Sequence, residues 1–104
     1  MAVALLTLEI AIEHAASLKD RRQAVRSLKD RLRHGFNVSV SELDDGALWN
    51  RATIGVAAVS ASRDYLNGQM AVLEQAARSV CAKAGAEIVD SYWEFTEPGA
   101  EDLH

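Results

Sequence analysis

Apolar and polar residues alternate from the start of the chain. Leu6, Leu8, Ile10 and Ile12 share one side, while Leu5, Thr7, Glu9 and Ala11 share the other, the period-two pattern of a half-buried strand over Val3 to Glu13. After Ser17 the period lengthens. Leu18, Val25, Leu28 and Leu32 recur at helical spacing and predict a buried stripe on a first helix. Ser17 is placed to cap it, with Asp20 in the first turn, and Gly35 stands where a left-handed residue ends a helix. Alternation then returns. Phe36, Val38 and Val40 point in and Asn37, Ser39 and Ser41 point out along a second strand that runs to Glu42. Asp44-Asp45-Gly46 breaks this strand, and Ile54, Val56 and Ala58 mark the inner face of a third, from about Ala52 to Val59. Ser60 and Ser62 offer caps for a second helix, whose stripe is Leu66, Met70, Leu73, Ala77 and Val80, with Gly85 at its end. A last strand is expected over Glu87 to Phe95, with Val89, Trp93 and Phe95 on one side and Ile88, Asp90, Tyr92 and Glu94 on the other.

The order βαββαβ predicts an α+β fold, the ferredoxin-like sandwich, with a four-stranded antiparallel sheet and two helices on one face. The other sheet face is left uncovered. No linker or low-complexity stretch divides residues 1–96, which are expected to form one domain, and residues 97–104 read as a flexible tail.

Charge changes the picture more than composition does. Hydrophobic residues make up 49% and charged residues 25%, as in an ordinary globular protein. The net charge of −4 argues against nonspecific nucleic-acid binding when taken alone. However, Lys19, Arg21, Arg22, Arg26, Lys29, Arg31 and Arg33 lie between Ser17 and Gly35 against only Asp20 and Asp30, so that segment is +5. Four cations against thirteen carboxylates remain elsewhere, a balance of −9. The single cysteine, Cys81, has no disulfide partner, and the apolar start is too short and too polar for a membrane span. A cytoplasmic protein is the expectation.

Three strings add a family resemblance: Ser17-Leu18-Lys19-Asp20-Arg21-Arg22, then Phe36-Asn37-Val38-Ser39-Val40-Ser41-Glu42, then Leu48-Trp49-Asn50-Arg51-Ala52-Thr53-Ile54-Gly55-Val56. In this order and spacing the chain resembles the YlxP-like family, small bacterial proteins of unknown function, over roughly residues 3 to 95. The resemblance implies a ferredoxin-like fold and a bacterial cytoplasmic protein. The family's genes often lie near those for translation initiation and ribosome maturation, which implies association with the ribosome or RNA. It implies no catalytic activity.

The strongest candidate site is on the first helix. Lys19, Arg22, Arg26, Lys29 and Arg33 step by three, four, three and four residues and form one stripe, about 100° around from the apolar one. The stripe is about 21 Å long, with one cation per about 5 Å, close to the spacing of phosphates along a strand. These five residues are the expected nucleic-acid contacts, with ribosomal RNA or a ribosome-associated protein as partner. The alternatives are a solvated helix face, and an acidic protein surface that includes a second copy of the chain. The uncovered sheet face, mainly Leu5, Thr7, Glu9, Asn37, Ser39, Ser41, Thr53, Gly55 and Ala57, suits a homo-oligomer better than RNA, since Tyr92 is the only candidate aromatic there.

Other residues carry blander expectations. Trp49 is expected to close one end of the core, with Arg51 paired to Asp44 or Asp45. Glu42, Asp44 and Asp45 read as a polar turn, and Cys81 as a small core residue. His14, His34 and His104 lack zinc spacing, and His34 reads as a favourable charge at a helix end. The glycines form no phosphate loop. The expectation is a noncatalytic binding protein with no cofactor, no metal and no small-molecule substrate.

Overall fold

The computed structural model describes residues 1–13 and 15–97. The elements run β1 (Ala2–Ala11), α1 (Leu18–Gly35), β2 (Ser39–Glu42), β3 (Arg51–Ser60), α2 (Arg63–Lys83) and β4 (Glu87–Thr96). The strands form one antiparallel sheet in the order β2-β3-β1-β4, which is the ferredoxin-like arrangement. His14, His104 and the expected tail beyond Glu97 lie outside the described residues.

The core follows the alternation. Leu6, Leu8 and Ile10 of β1 and Ile54 and Val56 of β3 meet Leu28 and Leu32 of α1 and Leu66, Met70 and Leu73 of α2, all buried. Both helices lie on this side, and the opposite face of the sheet is uncovered. Ser17 caps α1 by accepting from the Asp20 N–H at 3.3 Å, while Asp20 reaches back past the cap to accept from the Ala16 N–H at 3.0 Å. Ser62 caps α2 through the Tyr65 N–H. No described helix is long and apolar enough to cross a membrane.

Four local expectations are corrected. Gly35 stays helical and is not left-handed; α1 ends at Phe36, whose N–H donates to Leu32 O, whereas Gly46 and Gly85 do take positive φ. The second strand is shorter than expected, because Phe36 and Asn37 form a bend and pairing with β3 begins at Ser39. In β4 the alternation slips at a bulge, where the register against β1 shifts between Glu9 and Ile10. Ile88 is therefore buried and Val89 is 46% exposed, while Trp93 and Phe95 keep the inward side. Leu18 is 45% exposed and does not belong to the buried stripe of α1; Arg21 occupies that place at 4%.

Candidate functional site

Arg21 is the buried charged residue of the described chain, and it organises one end of the molecule. Its guanidinium donates through Nη2 to Asp44 Oδ2 at 2.7 Å, through Nη1 to Glu42 Oε2 at 3.1 Å, and through Nε to the Arg51 carbonyl at 3.1 Å. One planar fork thus joins α1, the end of β2 and the start of β3. Asp44 is saturated in turn, accepting from Thr53 N–H at 3.1 Å and Gly46 N–H at 3.2 Å. Burial by itself raises the Asp44 pKa. The Thr53 N–H, the Arg21 charge and the Gly46 N–H together outweigh it, and the carboxyl lies below its ordinary value. Asp44 therefore pairs with Arg21 and not with Arg51, and the acidic turn is the anchor of a buried cation.

The cationic stripe divides on inspection. Lys19, Arg22 and Arg26 are exposed and make no ion pair with a described residue. Lys29 reaches Glu42 Oε1 at 3.5 Å, and Arg33 Nη2 donates to the Val40 carbonyl at 3.0 Å. Arg33 thereby covers an acceptor on β2, an edge strand of the sheet. Arg22, Arg26, Lys29 and Arg33 line one wall of a cleft of about 560 Å³; Glu42, Asp45 and Gly46 form the other. Glu42 is already engaged by Arg21 and Lys29, and the cleft's other carboxylates, Asp30 and Asp45, are outnumbered by the cations of the helix. His34 Nδ1 lies 2.7 Å from the Asp30 carbonyl, within the helix end.

A second concavity of about 750 Å³ lies between α1 and α2, where Ala24, Ser27, Ala76 and Ser79 leave space. Its charged groups, among them Asp20, Arg31 and Lys83, are carried on the two flanking helices. Cys81 is buried in the core, and burial, partly offset by Arg78, pushes its thiol up to about 11. Among the described residues no three His, Cys, Asp or Glu side chains gather as a cation would require.

Trp49 does not close the core. It is 50% exposed, beside Leu48 at 60%, on the loop between β2 and β3. The uncovered sheet face is also more apolar than expected, because Val59 is exposed on it beside Leu5 and Tyr92, and Leu43 folds back over it. Gly55 allows that fold, since a Cβ there would sit 2.8 Å from Leu43 Cδ1. Asn37 lies outside β2 and does not contribute to this face.

A family described as "Protein of unknown function (DUF503)" matches residues 3–93. The uncharacterized protein YlxP of Bacillus subtilis (strain 168) is 42% identical over 55 residues, 53% of this chain and 60% of that relative, so the matched stretch spans less than two thirds of its length. Among solved structures, the Bacillus subtilis YXEP protein, a dinuclear metal-binding peptidase of the M20 family, superposes with a TM-score of 0.60 at 14% identity, over 90% of this chain and 25% of that one. A C-terminal segment of the alpha subunit of aIF2 from Pyrococcus abyssi gives 0.50 at 17% identity, over 95% of this chain and 52% of that one. A dimeric ferredoxin-like protein of unknown function from Thermobifida fusca gives 0.50 at 15% identity, over 92% and 90%. At these identities the likeness is one of fold.

Proposed function

The chain belongs to the DUF503 family of proteins of unknown function, and for this member we propose a noncatalytic binding role in which α1 contacts an RNA backbone. Ribosomal RNA, or an RNA-bearing assembly of the translation machinery, is the target class. The observation that supports this reading is the set of Lys19, Arg22 and Arg26, exposed on one helix face with no carboxylate partner among the described residues. Unneutralised cations at one-turn spacing displace counterions when phosphates approach, and this gain grows with each phosphate met. Such contacts position a strand without reading its sequence. Lys29 and Arg33 serve the protein's own edge as well and contribute less.

Fluorescence anisotropy of a labelled mixed-sequence single-stranded RNA, titrated with the full chain at several salt concentrations, tests the reading. Affinity should fall linearly on logarithmic axes, by about 0.7 per phosphate neutralised. Arg22→Glu with Arg26→Glu should abolish binding. Undetectable or salt-independent binding overturns it.

A second reading is favoured by a different observation. Leu5, Val59 and Tyr92 are 42%, 61% and 51% exposed on the uncovered sheet face, with Leu43 at 59% beside them. Exposed apolar side chains of this kind, interspersed with Glu9 and Glu94, fit a second copy of the chain, in a homo-oligomer packed sheet against sheet. Light scattering of wild type against Leu5→Lys separates the two readings. A dimer that the substitution dissociates supports the oligomer, and a monomer at working concentration removes it.

A further inference from the structure

We infer that Trp49, on the loop that borders the cationic cleft, is a base-stacking platform, so that the RNA taken by α1 is single-stranded. The inference rests on the proposed phosphate contacts of α1 and adds the chemical class of the strand.

Trp49 sits between fixed points. The carbonyl of Asn50 accepts from the Ile12 N–H at 2.9 Å, and that of Arg51 accepts from Arg21 Nε at 3.1 Å. On the other side, Asp44 is held by Arg21 Nη2 at 2.7 Å and by the Thr53 N–H at 3.1 Å. A loop pinned on both flanks presents its side chain at little entropic cost, as a platform should. Trp is normally among the most buried residues, yet this one stays 50% exposed. Trp93 donates its indole N–H to Asn67 at 3.0 Å, and no described residue holds the Trp49 indole in this way. Half of its surface is open to a partner.

Position supplies the rest. Gly46 and Asp45, at the base of the same loop, line the cleft together with Leu18 and Arg22. A strand whose phosphates pass Arg26 and then Arg22 therefore arrives at the Trp49 loop. Aromatic stacking beside a cationic groove is how single strands are held without sequence preference. An A-form duplex keeps its bases stacked on one another and offers none to an indole. Tyr92 is a poorer platform, because Glu94, Thr7 and Glu9 surround it on the sheet and its face carries the wrong charge for phosphate. Asp30 and Asp45 are the carboxylates that an arriving strand must pass, and Asp45 is the one beside the Trp49 loop.

The test uses the full chain with a labelled single-stranded oligouridylate and a labelled RNA duplex of equal length. Trp49→Ala should weaken single-strand binding roughly 5- to 100-fold, the effect of one stacked base, with its salt slope unchanged and duplex affinity unchanged. Trp49→Phe should restore most of the loss. Asp45→Asn should tighten single-strand binding. In a Trp93→Phe background, titration with the oligomer should quench Trp49 emission. Equal binding by wild type and Trp49→Ala, with Arg22→Glu and Arg26→Glu still abolishing it, overturns the stacking while sparing the phosphate contacts; Trp49 and Leu48 would then be a protein-contact pair. Absence of RNA binding by the wild type overturns both.

Discussion

Arg21 and Asp44 are joined through Nη2 and Oδ2 at 2.7 Å, with the arginine side chain 5% exposed and the carboxylate 25%. This contact ties α1 to the loop that carries Trp49. Removing the anion leaves the buried cation with only Glu42 and the Arg51 carbonyl and takes the acceptor from the Thr53 and Gly46 N–H groups, whereas removing the cation leaves Asp44 still bonded to both of them. Asp44→Ala should cost about 3 kcal/mol, lowering the urea midpoint by about 2 M. Arg21→Met should cost clearly less. Equal losses for the two variants, measured by urea denaturation, would show that the pair's attraction outweighs the desolvation of the guanidinium.

The same contact makes stability depend on acid. The folded carboxyl of Asp44 lies below its ordinary value of 3.8, so the native state binds fewer protons than the unfolded state. Its contribution is complete above the unfolded pKa and is lost as pH falls below about 4 through the folded value. Urea midpoints measured from pH 6 to pH 2 should drop over that window. Asp44→Asn should flatten the drop. Parallel profiles for wild type and variant would assign the acid sensitivity to other carboxylates.

Most of the fold is legible in the sequence, because period-two and period-3.6 patterns alternate cleanly and each helix opens on a serine cap. Arg21 was also within reach. It lies four residues before Val25 and seven before Leu28, in line with the apolar stripe, but its charge argues for the surface until its partners are known. Those partners come from Glu42 and Asp44, more than twenty residues away, and only tertiary pairing brings them together. The bulge in β4 is hidden for a similar reason. Ile88 and Val89 are equally apolar, and the choice between them depends on register against β1. Trp49 misleads because the average behaviour of tryptophan is burial. The five-residue cation stripe is visible from spacing alone, but its division into free and engaged members is not.

Cys81 offers a probe of core integrity. Burial pushes its thiol up to about 11, so only about a thousandth is thiolate at pH 8 even before access is considered. Iodoacetamide should leave the folded protein unmodified over hours at pH 8 and label it within minutes in 8 M urea, as read by mass spectrometry. Rapid labelling of the native state would mean that α2 opens locally around Leu73 to Cys81.

Arg26 and Arg33 belong to one stripe but are expected to behave differently. Arg33 donates to the Val40 carbonyl on edge strand β2, so Arg33→Ala should cost about 1 kcal/mol of stability. Arg26 pairs with no described carboxylate, so Arg26→Ala should leave stability within about 0.5 kcal/mol. Under RNA titration the order reverses. Arg26→Ala should reduce the salt slope by about 0.7, one phosphate's share, and Arg33→Ala by much less. Thermal denaturation and anisotropy on the same two variants check both halves. If both variants lose slope equally, Arg33 must leave Val40 when RNA arrives, and the stripe acts as at least four cations and not three. The released carbonyl would then lie open on the β2 edge, and exchange of the amides near Val40 should quicken on RNA binding, whereas with a three-cation stripe it stays unchanged.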